Sequence, residues 1–177
     1  MIAARAYLYL EKDPGRALSI LDDTTNDAET FARLQARGYA HILFVRALAQ
    51  VASGQFAEAR DSISRIDRSV LITQSLALLA EASLSAAVGE REGAHVLLDR
   101  LSETGVRVKA YGNYEDLLRL RVLAERGVND RALGLARHII TRLDDRAELL
   151  MPEQRDVFWE RAPFVRALRM FAHRMLS

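Results

Sequence analysis

Apolar residues recur along this chain at helical spacing, and each run opens on an alanine. Ala59 is followed by Ile63 and Ile66, Ala94 by Leu98 and Leu101, and Ala132 by Ala136 and Ile139. These are i, i+4, i+7 spacings, which put one apolar face on each helix. Ala17 is followed by Leu21 and then Thr24, so the first run ends early. A short polar turn precedes each alanine: KDPGRA at 12–17, GQFAEA at 54–59, GEREGA at 89–94 and GVNDRA at 127–132. In three of the four a glycine stands five residues before the alanine. Glycine takes positive φ at a helix C-terminus without steric cost. Asp13 and Pro14 read as a cap followed by proline at the first helical position, and Asn129 can cap in the same way. The alanine is small because two antiparallel helices joined by a short turn approach closely just after it.

The turns divide the chain into helical hairpins. First helices are predicted at 2–11, 38–53, 70–88 and 113–126, and second helices at 14–22, 55–67, 90–102 and 129–143. The alanines at 17, 59, 94 and 132 are separated by 42, 35 and 38 residues. Such a period, with helical patterning on both sides of each turn, marks a stacked array of hairpins. The long first interval holds TTNDAETFARLQARGYA at 24–40. Thr25 or Asn26 is expected to cap a helix there that carries Phe31, Leu34 and Ile42 and runs on through Gly38 to Ser53. TGVRVKAYGN at 104–113 is the main irregular connection. The expected organisation is all-α: one helical-repeat domain over 1–177, with repeats at about 1–23, 27–67, 70–103 and 107–143 and a C-terminal cap at 146–177.

Glycine, a polar or aromatic pair, then alanine five residues on resembles the tetratricopeptide repeat. The chain is similar to the degenerate arrays of large bacterial multi-domain regulators. Gly54, Gln55, Phe56, Ala57, Glu58 and Ala59 carry the closest match, and the likeness covers about residues 1–143. The first helices depart from the family pattern: its usual tryptophan and tyrosine are missing, and a leucine position falls on Arg46, Glu81 and Arg119. The resemblance implies a right-handed solenoid of about four hairpins whose first helices line a concave groove. The tail, MPEQRDVFWERAPFVRALRMFAHRMLS, resembles the segment that closes such arrays. Pro163 is expected to start a last helix with Phe164, Leu168, Phe171 and Met175 on one face and Arg166, Arg169, His173 and Arg174 on the other. Its expected role is to cover the last hairpin, because arrays need an end cap.

Bulk properties narrow the function classes. At 177 residues and 50% hydrophobic composition the chain can bury a core. A net charge of +1 gives no global attraction to nucleic acid or anionic membrane. Cysteine is absent, which removes disulfides, thiol nucleophiles and thiolate metal sites, and is compatible with a cytoplasmic setting. The opening MIAARAYLYLEKDP holds Arg5 and no small-residue cleavage site, so it reads as a truncated first helix rather than a signal peptide. No stretch reaches the roughly 18 uncharged apolar residues that a membrane span requires.

No catalytic constellation emerges. The histidines at 41, 95, 138 and 173 are single, with no HExxH-like spacing. The pairs Asp22 and Asp23, and Asp144 and Asp145, each follow a predicted helix and read as turn or capping residues. Phosphate loops and a GxSxG elbow are lacking. Phe158 and Trp159 read as core rather than as a stacking platform. No cofactor and no metal is expected.

One row of charges interrupts the apolar first helices. Thirteen residues before three of the alanines stand Arg46, Glu81 and Arg119. Equivalent positions stack side by side in a solenoid, roughly 10 Å apart. Gln50 and Ser85 fall four residues later on the same face, and Gln74 precedes Glu81 by two turns. The competing reading is a ladder of surface ion pairs, each worth about 0–1 kcal/mol. The row of Arg46, Gln50, Gln74, Glu81, Ser85 and Arg119 is the expected partner-binding groove of a non-catalytic protein-interaction module. It would receive a peptide, a helix or a neighbouring domain of a larger bacterial regulatory protein, with no nucleic acid or membrane as partner. The alternative is a self-associating helical domain. Its homodimer would form through the first hairpin, where Ile2, Leu8 and Leu10 lack a neighbouring repeat, or through the apolar last helix.

Overall fold

The computed structural model describes residues 13–26, 36–108, 111–125, 127, 129–162 and 164–177. Those residues are all-helical, with nine helices and no strand. Within the expected single domain at 1–177, the backbone contacts gather into two compact units, Met1–Val108 and Lys109–Ser177.

The first unit contains α1 (Pro14–Asn26), α2 (Ala36–Ala52), α3 (Phe56–Ser64), α4 (Leu71–Ala87) and α5 (Arg91–Glu103). α2 packs on α1, α3 and α4, and α4 packs on α2, α3 and α5. The turns form as the sequence dictates. Gly54 and Gly89 sit at φ 75° and 84°, in the left-handed region that favours glycine. Asp13 caps α1 by accepting from the Arg16 amide at 2.9 Å. Ala17, Ala59 and Ala94 expose no surface at all, and Leu21, Ile63, Ile66, Leu98 and Leu101 complete their faces. α4 is apolar nearly all round because neighbours cover three of its sides: Leu76 to Ala80 and Ala82 to Leu84 are all buried.

The second unit contains α6 (Gly112–Ala124), α7 (Asp130–Glu148), α8 (Pro152–Arg161) and α9 (Val165–Leu176). Asn129 caps α7, accepting from the Ala132 amide at 3.0 Å. α9 packs on both α6 and α7, and α8 packs on α7 and α9. Leu117, Leu120, Ala136, Ile139, Leu143, Val165, Leu168 and Ala172 form one buried cluster, with Phe158 and Trp159 packed against it. Those two aromatics are half-buried against the core. The Arg169 guanidinium lies over the Trp159 ring at 4.1 Å. Phe164 takes φ 64° just before α9, and its ring centre is 4.9 Å from that of Tyr114.

Several helix ends differ from the sequence reading. α1 continues to Asn26, so Thr25 and Asn26 belong to that helix, and the helix they were expected to cap begins outside the described residues. Asp22 and Asp23 therefore lie inside α1, where Arg46 of α2 holds Asp22. α7 runs on to Glu148 because Leu143 and Ala147 extend its buried stripe, so Asp144 and Asp145 are helical rather than turn residues. The last helix starts at Val165 with Phe164 at its N-cap, and Pro163 lies outside the described residues. The predicted helix 2–11, with Ile2, Leu8 and Leu10, and the positions of Phe31 and Leu34 lie outside the described residues.

Ala59→Leu or Ala94→Leu is expected to lower stability by about 1–3 kcal/mol, because neither site has room for three more carbons. Urea unfolding reads the change, and unaltered midpoints in both variants would remove the close-approach role of these alanines.

Candidate functional site

The expected row of charges separates into individual pairs. Arg46 Nη2 meets Asp22 Oδ1 of α1 at 2.7 Å. Glu81 meets Arg68, which lies in the connector between α3 and α4. Arg119 belongs to the second unit and pairs with Glu115 one turn earlier on α6, at 3.0 Å. Arg46 and Glu81 thus share a habit: each reaches back to the second helix of the preceding pair or to the connector that follows it.

The remaining row members divide in the same way. Gln50 accepts from the Ser62 hydroxyl at 2.8 Å, which ties α2 to α3 inside one pair. Gln74 is half-buried on α4. The Ser85 hydroxyl donates to Glu90 at 3.4 Å, at the turn into α5.

Glu81 and Ser85 come together at a cleft of about 500 Å³ within the first unit. Its floor is aliphatic, made by Ile63 of α3, Leu84 of α4 and Leu97 of α5. Arg60 of α3, Arg68 of the connector and Arg100 of α5 stand around it. Two hydrogen bonds to Asp67 shape the connector that carries Arg68: one from the Ser69 hydroxyl at 2.7 Å and one from the Ser69 amide at 2.9 Å. Those two donors hold the Asp67 carboxyl below its ordinary value. The cleft offers charge, hydrogen bonds and apolar surface, and among the described residues its lining holds no histidine or lysine.

The pattern of the first helices does not point to the three arginines, which lie on other elements. Arg60 follows Ala59 directly, and Arg68 and Arg100 recur at no common offset from their alanines. That pattern also passes over a partner for one histidine. His95 Nδ1 lies 3.0 Å from Asp99 Oδ2, a pair at i, i+4 on α5. Among the described residues no group of three or more histidine or acidic side chains is placed to hold a metal ion. No helix among them is long and apolar enough to cross a membrane.

The second unit has its own polar link. Arg142 of α7 meets the buried Asp116 of α6 at 2.6 Å and the Asn113 amide oxygen at 3.4 Å. No family model matches this chain, and neither a curated protein nor a solved structure matches it.

The two kinds of ion pair are expected to differ in weight. The Asp116 side chain is only 10% exposed, so Asp116→Ala strands the Arg142 charge in a poorly hydrated place and is expected to cost about 2–4 kcal/mol. Arg68→Ala removes a pair at the surface and is expected to cost about 0–1 kcal/mol. Equal losses in thermal unfolding would show that burial does not set the difference.

Proposed function

We propose that the chain is a non-catalytic protein-interaction module. In this reading its helical pairs stack as a right-handed solenoid similar to a tetratricopeptide array, within a larger bacterial regulatory protein of the cytoplasm. The module presents a groove to a peptide, a helix or a neighbouring domain. The cleft at Glu81 and Ser85 is the observation that supports this most directly: a partly apolar depression lined with charged side chains. The recurring pairs support it too, since alanine, turn glycine and apolar face repeat in register.

A partner cross-linked from a photoreactive residue at Ser64, on the cleft, supplies the ligand for the test. Glu81→Arg is expected to change affinity for that partner at least about tenfold, because charge reversal at a contact is costly or favourable by several kcal/mol. Folding is expected to change by no more than about 1 kcal/mol, since the Glu81–Arg68 pair is solvated. Unchanged affinity with normal melting would remove Glu81 from the partner surface.

Self-association is the second reading, and the second unit favours it. Leu149 is 87% exposed and Met151 is 65% exposed, on either side of the turn into α8. Sedimentation of the wild type is expected to show concentration-dependent association that Leu149→Glu weakens. A strictly monomeric wild type at high concentration would end this reading.

A further inference from the structure

We infer that the cleft walled by α3, α4 and α5 takes an acidic peptide segment, whose carboxylates meet Arg60, Arg68 and Arg100 while an aliphatic side chain fills the floor. The inference rests on the interaction-module reading and adds the chemistry of the partner.

Charge carries the argument. Three guanidinium groups and one carboxylate line the cleft. The carboxylate, Glu81, is already taken by Arg68. Arg60 and Arg100 are exposed, and no ion pair or hydrogen bond engages their side chains. Low-dielectric walls concentrate the field of such unmatched cations in a depression. Guanidinium binds carboxylate through paired hydrogen bonds, which gives direction as well as charge. The Arg68–Glu81 contact shows that a carboxylate fits against an arginine here, and an incoming one can exchange with it.

The floor selects the class of anion. Ile63, Leu84 and Leu97 are aliphatic, and among the described residues no aromatic side chain lines the cleft for a base to stack on. A single-stranded nucleic acid would meet charge but no platform. A peptide with leucine or isoleucine between acidic residues meets both surfaces. Glu90, in contact with Ser85 at the turn into α5, makes that end of the cleft acidic. The carboxylates of the ligand therefore belong on Arg60, Arg68 and Arg100, away from Glu90.

Fluorescence anisotropy of a fluorescein-labelled GELEELG peptide tests the assignment. Its comparators are GKLKKLG, the neutral GQLQQLG and a twelve-residue oligothymidylate. GELEELG is expected to bind the wild type most tightly. Arg60→Glu and Arg100→Glu are each expected to weaken it by about tenfold or more, with circular dichroism confirming the fold. Arg174→Glu, the same charge change on exposed α9 surface, is expected to have little effect. Glu81→Gln frees Arg68 and is expected to tighten binding several-fold. GELEELG failing to bind, GKLKKLG binding as well, or Arg174→Glu doing equal damage would overturn the inference. So would tighter binding of the oligothymidylate that depends on Arg60 and Arg100. Binding of GQLQQLG at least as tight as that of GELEELG would overturn the acidic assignment and leave the interaction reading intact. The interaction reading is tested separately, by the cross-linked partner and its response to Glu81→Arg.

Discussion

Close approach of paired helices at an alanine is the constraint on which the rest depends. Ala17, Ala59, Ala94 and Ala132 have no exposed surface. Ala59, Ala94 and Ala132 each follow a left-handed glycine by five residues, where the chain has just reversed and paired helices approach closely. Each alanine then sets the rotation of its helix, because the apolar side chains four and seven residues on must follow it inward. The polar faces are fixed by default on the opposite side. The cleft exists because α3 and α5 are both held in this rotation against α4, which leaves Arg60 and Arg100 outside and Ile63 and Leu98 within.

Charged residues on the first helices link one pair to the next. Arg46 to Asp22 and Glu81 to Arg68 both join a first helix to what precedes it, and both remain partly hydrated. They add little to stability at such exposure. Their effect is on register, since an arginine that finds its carboxylate one turn away would leave the apolar faces mismatched. The Arg142 to Asp116 pair differs, because burial makes it intolerant of losing either member.

Local chemistry was legible in the sequence, and encounters between elements were not. The turns were readable because glycine, Asp13 and Asn129 act on backbone within a few residues of themselves. The eight predicted helices that fall on described residues all have counterparts, since their apolar spacing is a property of each helix alone. The ends were harder. Asp22 looked like a terminus, yet α1 continues past it with Arg46 from another helix bound to it. Asp144 and Asp145 looked like a turn, yet Ala147 finds a buried place beyond them. The site shows the same division. Glu81 and Ser85 share a face of one helix and were visible together. Arg60, Arg68 and Arg100 come from three elements, and only packing puts them around one cleft. Arg119 looked equivalent to Arg46 and Glu81 by counting, but it pairs within α6 instead.

The position of α9 has a consequence for how the chain assembles. In the first unit every helix packs on neighbours adjacent in sequence or one removed. In the second unit α9 must return across α7 and α8 to reach α6, and Leu117 shares a cluster with Val165 and Leu168. Long loops are slow to close, and topologies with distant contacts fold later than those with near ones. The first unit can therefore form by successive local steps as it leaves the ribosome. In the second unit the faces of α6 and α7 that receive α9 wait until α9 has been synthesised, and apolar surface exposed in such an interval favours aggregation.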